Sequence, residues 1–256
     1  MVLSLVVLAS FESSLGSTIS LPARLIDEPE TIIANENGES QPSAAKEEAM
    51  PQSQADSLAV GQSESAEVVA QTAKQPQKIS KFDNLMKRVG AEMGYDWRFM
   101  SAIAYSESRF IENLKSNQGA MGIMQIRPVV ARHFNVPVES INDTETNVRL
   151  AGMLLSELDT MLRMPASTPI EDRLSIILAS YNAGIGHVLD ARRLARSEGA
   201  NPNSWDSVRD YLIKKSDPAY YELDIVQSGR FTGSSQTVNY VNEVMRMYRK
   251  YCKLAS

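Results

Sequence analysis

"SAIAYSESRF", residues 101–110, decides how the chain is read. Met100, Ile103 and Ala104 lie seven, four and three residues before Glu107. That spacing places all four side chains on one helical face. The face is apolar except for Glu107, and a carboxylate on a buried stripe is costly to desolvate. Either it turns back to water at the helix edge, beside Arg109, or it is held there for its chemistry. Most helical glutamates are solvated, so position alone leaves both readings open.

The flanking sequence has the same period. In "KISKFDNLMKRVG", Ser80 is a candidate N-cap with Asp83 three residues on. Phe82, Leu85, Met86 and Val89 follow the i, i+3, i+4, i+7 pattern, with Gly90 or Gly94 as the stop. Asp96 can cap a second helix from Trp97 to about Phe110, the one that carries Glu107. "NVRLAGMLLSELDTML" predicts a third helix, with Ala151, Leu154, Leu155 and Leu158 aligned. "EDRLSIILASYNAG" predicts a fourth, with Leu174, Ile177, Leu178 and Tyr181 aligned and Gly184 as its stop. "HVLDARRLARSEG" is a fifth, ended by Gly199; "SWDSVRDYLIKK" is a sixth, capped by Ser204; "TVNYVNEVMRMYRKY" is the last. No alternating strand pattern appears. Residues 79–256 read as an all-α domain large enough for a proper core.

The 256 residues are 43% apolar and 22% charged, with a net charge of −5. Residues 1–78 hold 11 acidic and 4 basic side chains, so the acidity lies there and the remainder is close to neutral. No basic run with interleaved aromatics suggests nucleic acid. One cysteine, Cys252, excludes an internal disulfide and a cysteine metal cluster, and two histidines are too few for a His-rich metal site. Val2 to Ala9 is a largely apolar run, far too short to span a membrane. Its length suits a signal-peptide core over residues 1–16, although no Lys or Arg precedes it. The stretch from residue 17 to 78 is rich in Glu, Ser, Gln and Ala, and reads as a disordered acidic linker.

Two glycines, Gly119 and Gly122, stand just before "IMQI", where glycine admits backbone shapes closed to other residues. Alone, that segment could be a simple turn. "SYNAG" alone could be a core tyrosine at a helix end.

Taken in order, the motifs resemble a known family. They are "ESRF" at 107–110, Ser116 nine residues after the glutamate, "GAMGIMQI" at 119–126, "ASYNAGIGHV" at 179–188 and "NYVNEV" at 239–244. Across about residues 80–252 this resembles the soluble-lytic-transglycosylase (SLT) catalytic domain family. Within it, "GHVLDARRLARSEGANPNSWDSVRDYL" at 186–212 and "DPAYY" at 217–221 look most like the membrane-bound lytic murein transglycosylase F group. Members of that group usually carry a solute-binding-like domain upstream, and the first 78 residues here look too short and too polar to be one. "IENLKS", residues 111–116, departs from the Asn-Pro pair that many relatives have after the glutamate segment.

The resemblance implies a goose-type-lysozyme-like helical fold, an exported protein of the periplasm or cell envelope, and peptidoglycan glycan strands as the substrate. It implies no metal and no organic cofactor, no nucleic-acid partner, no transmembrane span and a monomeric chain. Glu107 takes the place of the family's single catalytic acid and base. Its cleavage of the MurNAc–GlcNAc bond would leave a 1,6-anhydro end. Ser116 matches the serine that hydrogen-bonds near that acid. Gly122, Met124 and Gln125 match the segment lining the sugar groove, with Gln125 as the direct donor; Met124 could equally be core. Tyr181 and Asn182 match the tyrosine–asparagine pair, and Tyr240 matches the late-helix tyrosine near the same centre. His187 reads as structural and Glu112 as a solvated loop charge. A goose-type muramidase, using water as acceptor, and a non-catalytic glycan-binding module remain alternatives on the same fold.

Overall fold

The computed structural model describes residues 77–255. The expected signal peptide, and the expected linker up to residue 76, lie outside the described residues. Nine α-helices follow in order among the described residues: α1 (Asp83–Met93), α2 (Trp97–Ser108), α3 (Pro128–His133), α4 (Thr144–Leu162), α5 (Ile170–Ala183), α6 (Ile185–Ser197), α7 (Trp205–Lys214), α8 (Pro218–Tyr221) and α9 (Ser234–Leu254). A 3₁₀ turn, Val138–Asn142, precedes α4. Among these residues extended pairing is limited to isolated bridges, Lys115 with Met121 and Met121 with Ile126. The all-α expectation is met.

The core is built around α2 and α5. Helix α2 packs on α1 and α9, and α5 packs on α4, α6 and α9. Phe99, Met100, Ile103 and Ala104 of α2 are fully buried, as are Ile176, Ile177 and Leu178 of α5. Each large side chain withdrawn from water in this way stabilises the fold by roughly 1.5–3 kcal/mol. No described helix is long and apolar enough to cross a membrane.

The helix ends show which local signals act. Asp96 caps α2 as predicted, its carboxylate accepting the Arg98 N–H at 2.8 Å. At α1 the direction of the cap is reversed: Asp83 is the first helical residue, and its carboxylate accepts the backbone N–H groups of Ile79 and Ser80. Gly94, not Gly90, ends that helix in the left-handed conformation. Ser204 occupies the N-cap of α7, but its hydroxyl makes no capping bond. Asp172, from the start of α5, accepts the Trp205 N–H at 2.8 Å instead. Helix α2 stops at Ser108, two residues before the predicted end, because Arg109 and Phe110 both adopt positive φ, 55° and 64°. Left-handed non-glycine residues cost roughly 1–2 kcal/mol each. Here Arg109 lies 4.1 Å over the Tyr105 ring and pairs with Glu243 of α9 at 2.8 Å, while Phe110 packs near Phe82 and Tyr105. The chain therefore turns sharply two residues after Glu107.

His187 is structural, as expected. Its ring stacks 4.5 Å from Phe231, and Nδ1 lies 3.0 Å from the Lys215 ammonium. Burial, then the Lys215 charge, lowers its pKa to about 4, so the ring is neutral at pH 7. Lys215 pairs with Asp190 at 2.6 Å, both fully buried, and Asp190 also accepts the N–H groups of Gln227 and Ser228. This cluster fastens the segment that leads into α9.

Candidate active site

Glu107 lies in the last turn of α2 on the predicted stripe and is 5% exposed. Neither carboxyl oxygen has a hydrogen-bond partner of good geometry among the described residues. An ionised carboxylate in such a place costs several kcal/mol. Burial accordingly pushes its pKa up to about 8 from an ordinary 4.5. The nearby Tyr240 hydroxyl favours the ionised form and offsets part of that rise, although it too lacks a well-formed hydrogen bond. Glu107 is thus protonated at neutral pH, which a free glutamate is not.

Two tyrosines face it. Tyr181 of α5 and Tyr240 of α9 are both buried, and both are pushed well above the ordinary phenol range, by burial first and then by the Glu107 charge. They stay neutral and can only offer or accept hydrogen bonds. The Tyr181 hydroxyl donates a hydrogen bond to the Met124 carbonyl at 2.8 Å. Asn182 accepts the Thr237 hydroxyl at 2.9 Å and so ties α5 to α9 one turn before Tyr240. Glu107, Tyr181 and Tyr240 are brought together from three helices, as expected.

The loop 114–126 forms the fourth side. Gly122 has φ +77°, and a Cβ there would lie 2.4 Å from the Asn147 side-chain nitrogen, so only glycine fits. Gln125 differs from its predicted role. It is 4% exposed with φ +49°, and its amide nitrogen donates to the carbonyls of Leu114 and Gly122 at 3.1 and 2.9 Å. Both amide hydrogens are spent inside the loop, so Gln125 braces it and is not poised as a donor to sugar. Met124 is fully buried and belongs to the core, the alternative kept open above. Ser116 also turns inward: its hydroxyl oxygen accepts the Ala120 N–H at 3.0 Å, closing the loop's own turn.

Two residues that the motifs did not flag do much of the fastening. Ser108, next to Glu107, shares its one hydroxyl hydrogen between the carbonyls of Ile123 and Ala104, at 2.9 and 3.1 Å. Asn147 of α4 is fully buried and bonds to Met124, Met121 and Ile141. A signal for Asn147 was present: it sits four, seven and eleven residues before Ala151, Leu154 and Leu158, a polar residue on an apolar stripe like Glu107.

No second carboxylate contributes to the shift of Glu107. Glu112 lies at the surface, paired with Lys81 at 2.6 Å. Among the described residues no cluster of His, Cys, Asp and Glu could hold a metal ion. Chemically, the site offers one buried carboxylic acid between two neutral phenols, against a braced loop: a proton donor that can become a base after it has given its proton.

The family model described as the transglycosylase SLT domain matches residues 84–203. That span includes Glu107, the loop, Tyr181 and Asn182, while Tyr240 lies beyond it. A membrane-bound lytic murein transglycosylase F from Vibrio cholerae is 33% identical over 172 residues, covering 67% of this chain and 31% of that protein. One from Shewanella loihica is 34% identical over 166 residues, covering 65% and 33%. The chain spans about a third of the length of these curated relatives. Among solved structures, an inactive mutant of lytic transglycosylase Slt from Pseudomonas aeruginosa aligns with a TM-score of 0.46 at 18% identity, covering 69% of this chain and 25% of that one. The 70 kDa soluble lytic transglycosylase of Escherichia coli aligns with a TM-score of 0.44 at 23% identity, covering 66% and 24%. Across residues 84–203 the chain is thus similar to the transglycosylase SLT domain family.

Proposed function

We propose that the chain is a peptidoglycan lytic transglycosylase of the cell envelope, with Glu107 as its single general acid and base. The observation that carries this reading is the Glu107 carboxyl, buried without a hydrogen-bond partner and protonated up to about pH 8. Glu107 gives its proton to the oxygen joining N-acetylmuramic acid to N-acetylglucosamine, and the C1–O bond breaks. The developing cation at C1 is met by the sugar's own N-acetyl carbonyl. The Glu107 carboxylate then takes the proton of the C6 hydroxyl, and that oxygen closes a 1,6-anhydro ring on C1. One bond breaks, one forms, the proton returns to Glu107 and no water is consumed. A one-acid scheme differs from the usual paired-carboxylate glycosidase.

In this scheme the buried rings of Tyr181 and Tyr240 exclude water and so keep the acid protonated, while the Tyr240 hydroxyl offsets part of that effect. Gly122 and Gln125 shape the loop beside it, with Ser116 closing the turn. Asn182 holds α9, and hence Tyr240, in register. The relatives' names place them at the membrane and on murein, in keeping with an envelope location here. The direct test is release of soluble muropeptides from purified sacculi by the full chain and by its Glu107→Gln variant. Release by the first and not by the second is expected. No release by either, or equal release by both, would contradict the proposal.

A further inference from the structure

Three helices converge on four backbone groups of three loop residues, Met121, Ile123 and Met124. Ser108 of α2 holds the Ile123 carbonyl, Tyr181 of α5 holds the Met124 carbonyl, and Asn147 of α4 holds the Met124 N–H and the Met121 carbonyl. Two of these anchors belong to the Glu107 neighbourhood: Ser108 follows it in the chain, and Tyr181 faces it. The third comes from outside. Asn147 approaches from the far side of the loop, against the bare α-carbon of Gly122, and also holds the Ile141 carbonyl at 3.2 Å. Its side chain offers one acceptor and two donors, and all three are used. Its side chain ties α4 and the preceding 3₁₀ turn by hydrogen bonds to the segment packed beside the acid.

We propose that Asn147 is a positioning residue for the Glu107 site, which sets the backbone of Met121–Met124 against the end of α2 and thereby keeps the acid enclosed. That role in turnover rests on the reaction proposed above; its effect on the enclosure of Glu107 does not. Without Asn147, the Met124 N–H and the Ile141 carbonyl lose their partner, while the Met121 carbonyl keeps the Ile126 N–H at 2.9 Å. The Met124 N–H regains a partner only if the loop lifts towards water. A lifted loop admits water to Glu107, and the carboxyl then ionises more readily.

The test compares Asn147→Ala and the near-isosteric Asn147→Asp with Leu158→Ala, all in the full chain. Leu158 is fully buried on α4, eleven residues on, or about 16 Å along the helix axis. It controls for stability lost from α4 without touching the loop. Thermal melting, kcat and KM on glycan strands, and the pH titration of the Glu107 carboxyl carbon by NMR are read for each. For Asn147→Ala we expect kcat to fall roughly tenfold to a hundredfold with KM little changed, and the Glu107 midpoint to move down by about a pH unit or more. Asn147→Asp retains an acceptor for the Met124 N–H and should fall between. Leu158→Ala should melt earlier and leave the Glu107 midpoint in place. If the Asn147 variants melt earlier but keep the wild-type kcat and midpoint, the residue is structural only and the proposal is overturned. If the wild-type chain releases no product, the functional reading fails, while the NMR titration still decides whether Asn147 encloses Glu107.

Discussion

The Tyr181 hydroxyl donates to the Met124 carbonyl at 2.8 Å, and not to the Glu107 carboxyl that it faces. The tyrosine therefore acts on the acid through the wall it holds shut. Tyr181→Phe removes the donor and leaves a buried carbonyl short of a partner. A loss of about 1–3 kcal/mol is expected, together with a fall in turnover. Urea unfolding and release of soluble glycan from sacculi, measured on the same preparation, check it.

Tyr240 behaves differently, because its hydroxyl is buried with no well-formed hydrogen bond. Tyr240→Phe removes an unmet desolvation cost, so stability should hold or rise by up to about 1 kcal/mol. The hydroxyl favours the ionised form of Glu107, so its loss should move the acid's midpoint above about 8. NMR titration of the Glu107 carboxyl carbon and a thermal melt would show both. A midpoint that falls would contradict the arrangement.

Burial of Glu107 also makes stability depend on pH, with a defined sign. Its pKa is about 8 in the folded chain against an ordinary 4.5. Between those values the folded state holds a proton that the unfolded state has lost, so stability falls as pH rises through this window and levels off above it. Glu107→Gln removes the effect. The variant should melt close to wild type at pH 4 and distinctly later at pH 8.5, with a gain of a few kcal/mol at most. Equal melting temperatures at both pH values would mean that the carboxyl is not enclosed.

Two glycines of one loop should differ sharply. Gly119 and Gly122 have nearly the same φ, +78° and +77°, but a Cβ on Gly119 meets open space while one on Gly122 meets Asn147. Gly119→Ala is expected to cost only the left-handed strain, roughly 1–2 kcal/mol. Gly122→Ala adds an overpacking cost of about 1–3 kcal/mol and should depress turnover as well. Denaturant unfolding of the pair separates the two contributions.

The parts of the fold legible in the sequence are those with long periodic stripes. The helices around Met86, Ile103, Leu154, Ile177 and Val244 follow from spacing alone, and Glu107 is visible because it interrupts one stripe. The segments α3, α8 and the 3₁₀ turn were not seen. Each is six residues or fewer, too short to establish a period. Ser204 is the N-cap residue of α7 as its position predicts, but the side-chain acceptor there, Asp172, comes from another helix 33 residues away. The spacing around Gln125 does not show its backbone turn: φ +49° folds the amide back onto Leu114 and Gly122, away from the sugar-donor role that the resemblance implies. Asn147 interrupts its stripe as Glu107 does, yet only the loop's path reveals what it holds.

The most direct test of a single acid working without water is to digest sacculi in ¹⁸O-enriched water and weigh the muramic ends of the released fragments. Unlabelled ends, lighter by one water than hydrolysis products and absent with Glu107→Gln, are the expected result. Reducing ends carrying ¹⁸O would contradict it and would make the enzyme a muramidase.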